Sequence, residues 1–202
     1  MFDEPRFNYH KCAVQALSIA ALGSMLLLLS SGASGQDKHQ PPDSRLETVV
    51  APRLVVLKSR RIVHLFDGPR LVRSFPVDLG TNPVGQKVRD GDGRTPEGRF
   101  RIVTRHPSSA YRCFLGINYP DPPAADAAVA SGLLSAGEAE SIRRAWREGR
   151  CPSWVTALGG GIGLHGGGRG ADWTAGCIAL RDADIDAVYR VLRIGDPVEI
   201  WP

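Results

Sequence analysis

Cys177 lies in the run Asp172-Trp173-Thr174-Ala175-Gly176-Cys177-Ile178-Ala179-Leu180, shortly after His165 in Gly163-Leu164-His165-Gly166. A thiol becomes a strong nucleophile when a neighbouring base or positive charge stabilises its thiolate. Thr174-Ala175-Gly176 brings a small hydroxyl and unobstructed backbone N–H groups, which suit a tetrahedral oxyanion. The glycines between the two residues let the chain double back and set imidazole beside thiol. The chemistry predicted is acyl transfer, with His165 taking the thiol proton and returning it to a leaving amine. On the residues alone, the competing reading is a buried cysteine and a histidine in a glycine-rich turn. Asp172 is either the group that orients His165 or a solvated loop carboxylate.

Other chemistries fit less well. Gly159-Gly160-Gly161 and Gly166-Gly167-Gly168 look like phosphate loops, but neither ends in Lys-Ser/Thr nor opens a helix after a strand. His165 and Cys177 have no third zinc ligand at finger or hydrolase spacing, and no His-Glu-x-x-His occurs. His64 sits in a strand pattern and His106 precedes a proline, so both read as structural. A net charge of +4, with no basic stripe interleaved with aromatics, argues against a nucleic-acid partner.

A chain of 202 residues, 43% of them hydrophobic, accommodates one catalytic domain plus an export segment. Arg6 and Lys11 precede the apolar run Ala13–Leu29, and small residues follow to Gly35. Residues 1–35 therefore have the order of a secretory signal, and the apolar run is also long enough for an uncleaved membrane anchor. Residues 36–50, marked by Pro41-Pro42, read as a linker, and 51–202 as the domain. Either way, Gln36 onward is expected in the periplasm or cell envelope, touching the membrane only through the N-terminal segment. Cys12 belongs to that segment, which leaves Cys113, Cys151 and Cys177. In an oxidising compartment three thiols suggest one pair and one reactive sulfur. Cys113 and Cys151 bracket an insertion, 113–151, and are the candidate disulfide; the alternative is three reduced cysteines.

The elements that must carry these residues are mostly strands. Arg53–Leu57 and Arg61–Phe66 are joined by Lys58-Ser59-Arg60, and Asp67-Gly68-Pro69 turns into Leu71–Leu79. A long glycine- and charge-rich loop runs from Gly80 to Gly98, and Gly98–Thr104 resumes as strand. Asp121-Pro122 opens a short helix that Gly132 ends, and Ser135 with Glu138 forms a capping-box signature for a second. Ile162–His165 and Cys177–Leu180 read as short buried strands. Asp182 is placed to cap a helix facing the core through Ile185, Val188 and Leu192, and Pro197–Trp201 closes as a strand.

These motifs resemble the L,D-transpeptidase catalytic domain (YkuD-type) of bacterial cell-wall enzymes. The resemblance rests on His165-Gly166, Thr174-Ala175-Gly176-Cys177-Ile178 and Asp184. Upstream it includes Leu79-Gly80, Lys87, Gly91-Asp92-Gly93-Arg94-Thr95-Pro96-Glu97-Gly98 and Asn118-Tyr119-Pro120. It implies a mostly β (α+β) sandwich or barrel-like domain with an inserted helical hairpin and one C-terminal helix. It also implies Cys177 as nucleophile and His165 as general base and acid. Thr174, Gly176, Gly166 and Tyr119 become the oxyanion and substrate residues. The implied reaction forms a cysteine thioester on peptidoglycan stem peptides and passes the acyl group to an amine, a lipoprotein or water, with no metal or cofactor. A hydrolase on the same bonds and a catalytically dead wall-binding module are the alternative readings. The chain departs from many members at Ala175, where they carry His, and at Ala179, where they carry Arg. Arg169 and Arg181 are the nearby cations left to substitute.

Overall fold

The computed structural model describes residues 44–202. The expectations for an export segment over 1–35 and for the start of the linker lie outside those residues. Among the described residues no helix is long and apolar enough to cross a membrane.

Strand β1 (Pro52–Leu57) alternates buried and half-buried residues, as a strand with one face on a core must. A short 3-10 turn, Lys58–Arg60, carries it into β2 (Ile62–Asp67), and Arg61 relieves the reversal with a left-handed φ of 50°. β3 (Arg70–Pro76) pairs back on β2. After the loop come β4 (Gly98–Ser109) and β5 (Arg112–Ile117). The inserted helices are α2 (Pro122–Ala130) and α3 (Ala136–Arg147), which follow the short α1 (Ser44–Glu47) in chain order. β6 (Gly163–His165), β7 (Ile178–Ala179), α4 (Asp182–Val191) and β8 (Pro197–Trp201) complete the chain.

The strands form one eight-stranded sheet in the order β3-β2-β1-β8-β4-β5-β6-β7. It is a curled sheet and not two stacked ones, so the barrel-like form of the expectation describes it. Just beyond β3, Asp78 pairs antiparallel with Ala179 of β7, the strand at the other end of the order. The curl thereby returns the sheet's last strand to its first. The core inside includes Leu54, Val63, Leu65, Phe75, Leu115, Ile178, Val188 and Ile200, all wholly buried.

Several local expectations hold. Asp121 caps α2 by accepting from Ala124 N–H, and Ser135 and Glu138 make the reciprocal bonds of a capping box on α3. Trp146 fastens the insertion: its ring meets Phe100 of β4 edge-on, and its indole donates to the Pro120 carbonyl at 2.9 Å. Others need correction. The linker does not run free to residue 50, because α1 sets Leu46 and Val49 against the core. Asp182 does not cap α4; its carboxylate accepts from Gly167 N–H, and Arg181 occupies the cap position without a side-chain bond. β4 continues past Thr104 through Pro107, with a register shift between His106 and Ser109 that spares the ladder a missing N–H.

The proposed pairing of Cys113 with Cys151 is also not seen: the two are not bridged to each other. Cys113 points to α4, where its thiol donates to the Ile185 carbonyl at 4.0 Å. Phe114, on the opposite face of β5 by strand alternation, packs edge-on to Trp154, three residues past Cys151. Trp154 therefore packs on the face of β5 that Cys113 does not occupy. Burial pushes the Cys113 thiol up, which makes it an inert packing residue.

The loop between β3 and β4 is irregular yet tightly held. Lys58, only 2% exposed, donates to the carbonyls of Gly85 and Thr95 and to the Glu97 carboxylate. Lys87, equally buried, donates to the Arg89 carbonyl and to Asp92 at 2.8 Å. Asp92 in turn accepts from the amides of Val88, Arg89 and Arg94. Burial alone raises the Asp92 carboxyl, but the Lys87 ammonium and these amides together hold it below its ordinary value. The stability it supplies is thus present above the usual carboxylate range and is lost as pH falls below it. Asp92→Asn leaves the Lys87 charge without its counter-charge in a buried setting, at an expected cost of about 3–5 kcal/mol. Urea denaturation checks this, and an unchanged midpoint contradicts it.

Candidate active site

The register of two short strands sets the site. β6 and β7 run parallel, with Leu164 opposite Ile178 and His165 opposite Ala179. Side chains alternate along a strand, so Cys177, two residues before Ala179, shares a face with His165. The spacing argument from sequence, that the glycine-rich loop doubles back, thus has a backbone form. His165 is 5% exposed and Cys177 is half-buried.

His165 is oriented at both its nitrogen and its ring. Its Nδ1 lies 2.7 Å from the Gly166 carbonyl, which can only accept, so the proton of the neutral imidazole sits on Nδ1. Nε2 is then the basic nitrogen. Tyr111 packs on the ring at 5.0 Å and Trp173 meets it edge-on at 5.7 Å. Burial draws the imidazole below its ordinary 6.5, opposed by the bond to Gly166. The group is a neutral base at neutral pH.

The turn that leads into Cys177 is built from Thr174. Its buried hydroxyl donates to the Cys177 carbonyl at 2.8 Å and accepts from Gly176 N–H at 3.1 Å. Gly176 has φ of 142°, and a Cβ there would lie 2.6 Å from the Arg94 carbonyl. Only glycine serves at that position. The Cys177 thiol donates to the Gly161 carbonyl at 3.6 Å. A half-buried thiol in hydrogen-bond contact with a carbonyl, on the strand pair that also carries an imidazole with a basic Nε2, has the groups that acyl transfer needs.

The L,D-transpeptidase catalytic domain family, YkuD, matches residues 51–200. The chain belongs to this family. No curated protein matches the chain. Among solved structures, the chain is similar to the L,D-transpeptidase of Xylanimonas cellulosilytica, with 13% identity, 81% of this chain and 65% of that one covered, and a TM-score of 0.44. It is similar also to Bd1075 of Bdellovibrio bacteriovorus, at 22% identity, 77% and 49% coverage and a TM-score of 0.46. The helical cell shape determining protein Pgp2 of Campylobacter jejuni gives 18%, 79%, 54% and 0.47. The chain spans between about half and two thirds of the length of these proteins.

Within this L,D-transpeptidase-family domain, the residues expected at the site fall into two groups. Cys177, His165, Gly166, Thr174 and Gly176 come together. Gly166 acts through its carbonyl on His165, and Thr174 and Gly176 shape the turn; the Gly176 N–H, expected to meet an oxyanion, is engaged by Thr174 Oγ1. Tyr119 does not join them. It is 1% exposed, its hydroxyl donates to the Leu158 carbonyl, and burial pushes its phenol up, so its side chain packs in the core. Asp172 does not orient His165 either: it takes a forked pair of bonds from Arg61 and accepts Leu79 N–H. Asp184 pairs with Arg73. His64 and His106 bond to Ser74 and Thr104, in keeping with structural roles.

Sequence reasoning missed Tyr111, the Gly161 carbonyl and Asp78. Asp78 is 5% exposed and its carboxylate accepts from Arg169 N–H at 2.7 Å and from Gly170 N–H, pinning the loop that leaves His165. Nothing near residue 78 in the chain signals this, because the partners lie far along it. Thr174→Val leaves the Cys177 carbonyl and Gly176 N–H without their bonds, with an expected loss of about 1–3 kcal/mol. Thr174→Ser keeps the hydroxyl and restores most of it. Equal urea midpoints for the two variants would refute the assignment.

Proposed function

We propose that the chain is an exported peptidoglycan L,D-transpeptidase that works through a thioester on Cys177. The observation that carries this reading is the β6–β7 register, which puts His165, neutral and protonated on Nδ1, opposite Ala179, two residues after Cys177. Cys177 Sγ passes its proton to His165 Nε2 and attacks a peptide carbonyl of a peptidoglycan stem. The C–N bond breaks, His165 returns the proton to the leaving amine, and the acyl group rests on sulfur. An amine acceptor then attacks the thioester, with His165 removing its proton. Water in place of the amine gives a hydrolase, and a lipoprotein amine is one acceptor of the right chemistry. Family membership supports a peptidoglycan substrate, and the apolar run Ala13–Leu29 supports export to the envelope, with 1–35 as signal or anchor.

Purified residues 36–202, incubated with tetrapeptide muropeptides with and without an amine acceptor, test the reading. Cross-linked product is expected; trimmed peptide alone identifies a hydrolase, and no change of the peptides overturns the proposal. Cys177→Ala and His165→Ala abolish the product. Activity falls as His165 is protonated, and burial holds its pKa below 6.5. The acid limb of kcat/KM is therefore expected below pH 6.5, and a half-maximum at or above that value contradicts the assignment of His165 as base.

A further inference from the structure

Among the described residues, Arg169 is a cation near the site with no ion pair. Arg169, in the loop leaving His165, stacks its guanidinium 4.5 Å over the Trp173 ring. Trp173 packs against both His165 and Tyr111. Other arginines lie over rings, but Arg53 pairs with Glu199, Arg73 with Asp184, and Arg105 donates to the Tyr189 carbonyl. Arg99 lies over Trp201, which pairs across the sheet far from the β6–β7 face. Arg169 makes no ion pair among the described residues, and its charge is exposed. Trp173 adds a second donor without an acceptor, its indole N–H.

The backbone beneath is fixed. Asp78 accepts from the amides of Arg169 and Gly170, and Asp182 accepts from Gly167 N–H. The loop is thus tied at Gly167, Arg169 and Gly170, and the stack on Trp173 holds the guanidinium itself. An arginine held this way loses little freedom on binding, and its planar fork matches a carboxylate in two bonds. Arg181, the other nearby cation, has no ring beneath it among these contacts.

We propose that Arg169, supported by Trp173, forms a subsite for a carboxylate of the peptide substrate, placing the acyl chain against the His165 and Cys177 face. This rests on the acyl-transfer reading above and names the chemistry that the substrate must carry. Trp173 is a positioning residue for the guanidinium, not a catalytic one.

The test compares a tetrapeptide muropeptide bearing free carboxylates with the same peptide fully amidated. For the free acid, Arg169→Ala is expected to raise KM about 10- to 100-fold, the effect of losing a charged hydrogen-bonded contact. The value of kcat stays within about twofold, because the group binds ground and transition states alike. The amidated peptide gains nothing from Arg169, so its KM is unchanged by the substitution. Arg169→Lys keeps charge without the stack and falls between, while Arg190→Ala, late on α4, leaves both peptides as they were. The same comparison is made by calorimetry on Cys177→Ala protein, which binds without reacting. Preference for the acid that vanishes in the Cys177→Ala/Arg169→Ala double variant, with no turnover by the unaltered protein, keeps the subsite and overturns the reaction. Turnover or binding that Arg169→Ala leaves unchanged, or weakens equally for acid and amide, overturns the subsite. Absence of binding to either peptide also overturns it.

Discussion

The backbone pairing between Asp78 and Ala179 is the contact on which the site depends. Asp78 N–H donates to the Ala179 carbonyl at 2.8 Å and Ala179 N–H returns the bond at 2.9 Å. Next to it, the Leu79 carbonyl takes the amides of Trp173 and Thr174, and Thr81 N–H donates to the Thr174 carbonyl. This seam joins a segment just past the first sheet edge to the segment that runs through Cys177 into β7. It positions Thr174, and Thr174 positions Cys177. The Asp78 side chain holds the loop beyond His165 in the same place. Asp78 therefore ties down the segments that follow both Cys177 and His165, through its backbone to Ala179 and through its carboxylate to Arg169 and Gly170.

The loop between β3 and β4 is the other side of that seam. Gly80 has no room for a side chain, because a Cβ would lie 2.1 Å from the Gly93 carbonyl, and it pairs with Thr174. Arg94, held by Asp92, presses its carbonyl on Gly176. Two buried lysines keep this irregular backbone from relaxing, by satisfying carbonyls that no strand partner reaches. The Gly91–Gly98 motif of the family resemblance is, in physical terms, the wall behind the turn that leads to the sulfur. An ion pair inside it is justified by the carbonyls and amides it orders more than by its own Coulomb energy.

What could be read from the chain was what is encoded locally. Ser135 and Glu138 cap a helix three residues apart, and Pro197–Trp201 is a strand by its own alternation. Cys177 and His165 were legible because nucleophile and base types lie close together with glycine between them. β5 was missed because Pro107 and the positive φ of Arg112 hide a hairpin that only its partner strands define. Asp78 was missed because its acceptor role joins residues 91 positions apart. The Cys113–Cys151 bridge is not formed for a related reason: bracketing a segment in sequence does not say where a side chain points, and Cys113 turns toward α4. Tyr119 was misplaced because a motif position does not reveal burial.

The pairing of β1 with β8 sets an order in time as well as in space. β1 lies between β2 and a strand formed by the last residues described, with Leu54 opposite Val198 and Val56 opposite Ile200. A chain emerging from the ribosome can form the β1–β2–β3 hairpins early, but the centre of its sheet stays open until Pro197–Trp201 is made. Such long-range pairing folds slowly, and its unpaired edge meanwhile invites other partners. The nascent protein is consequently a client for whatever binds unfolded chains, and the thiol acquires its imidazole only once synthesis has passed both.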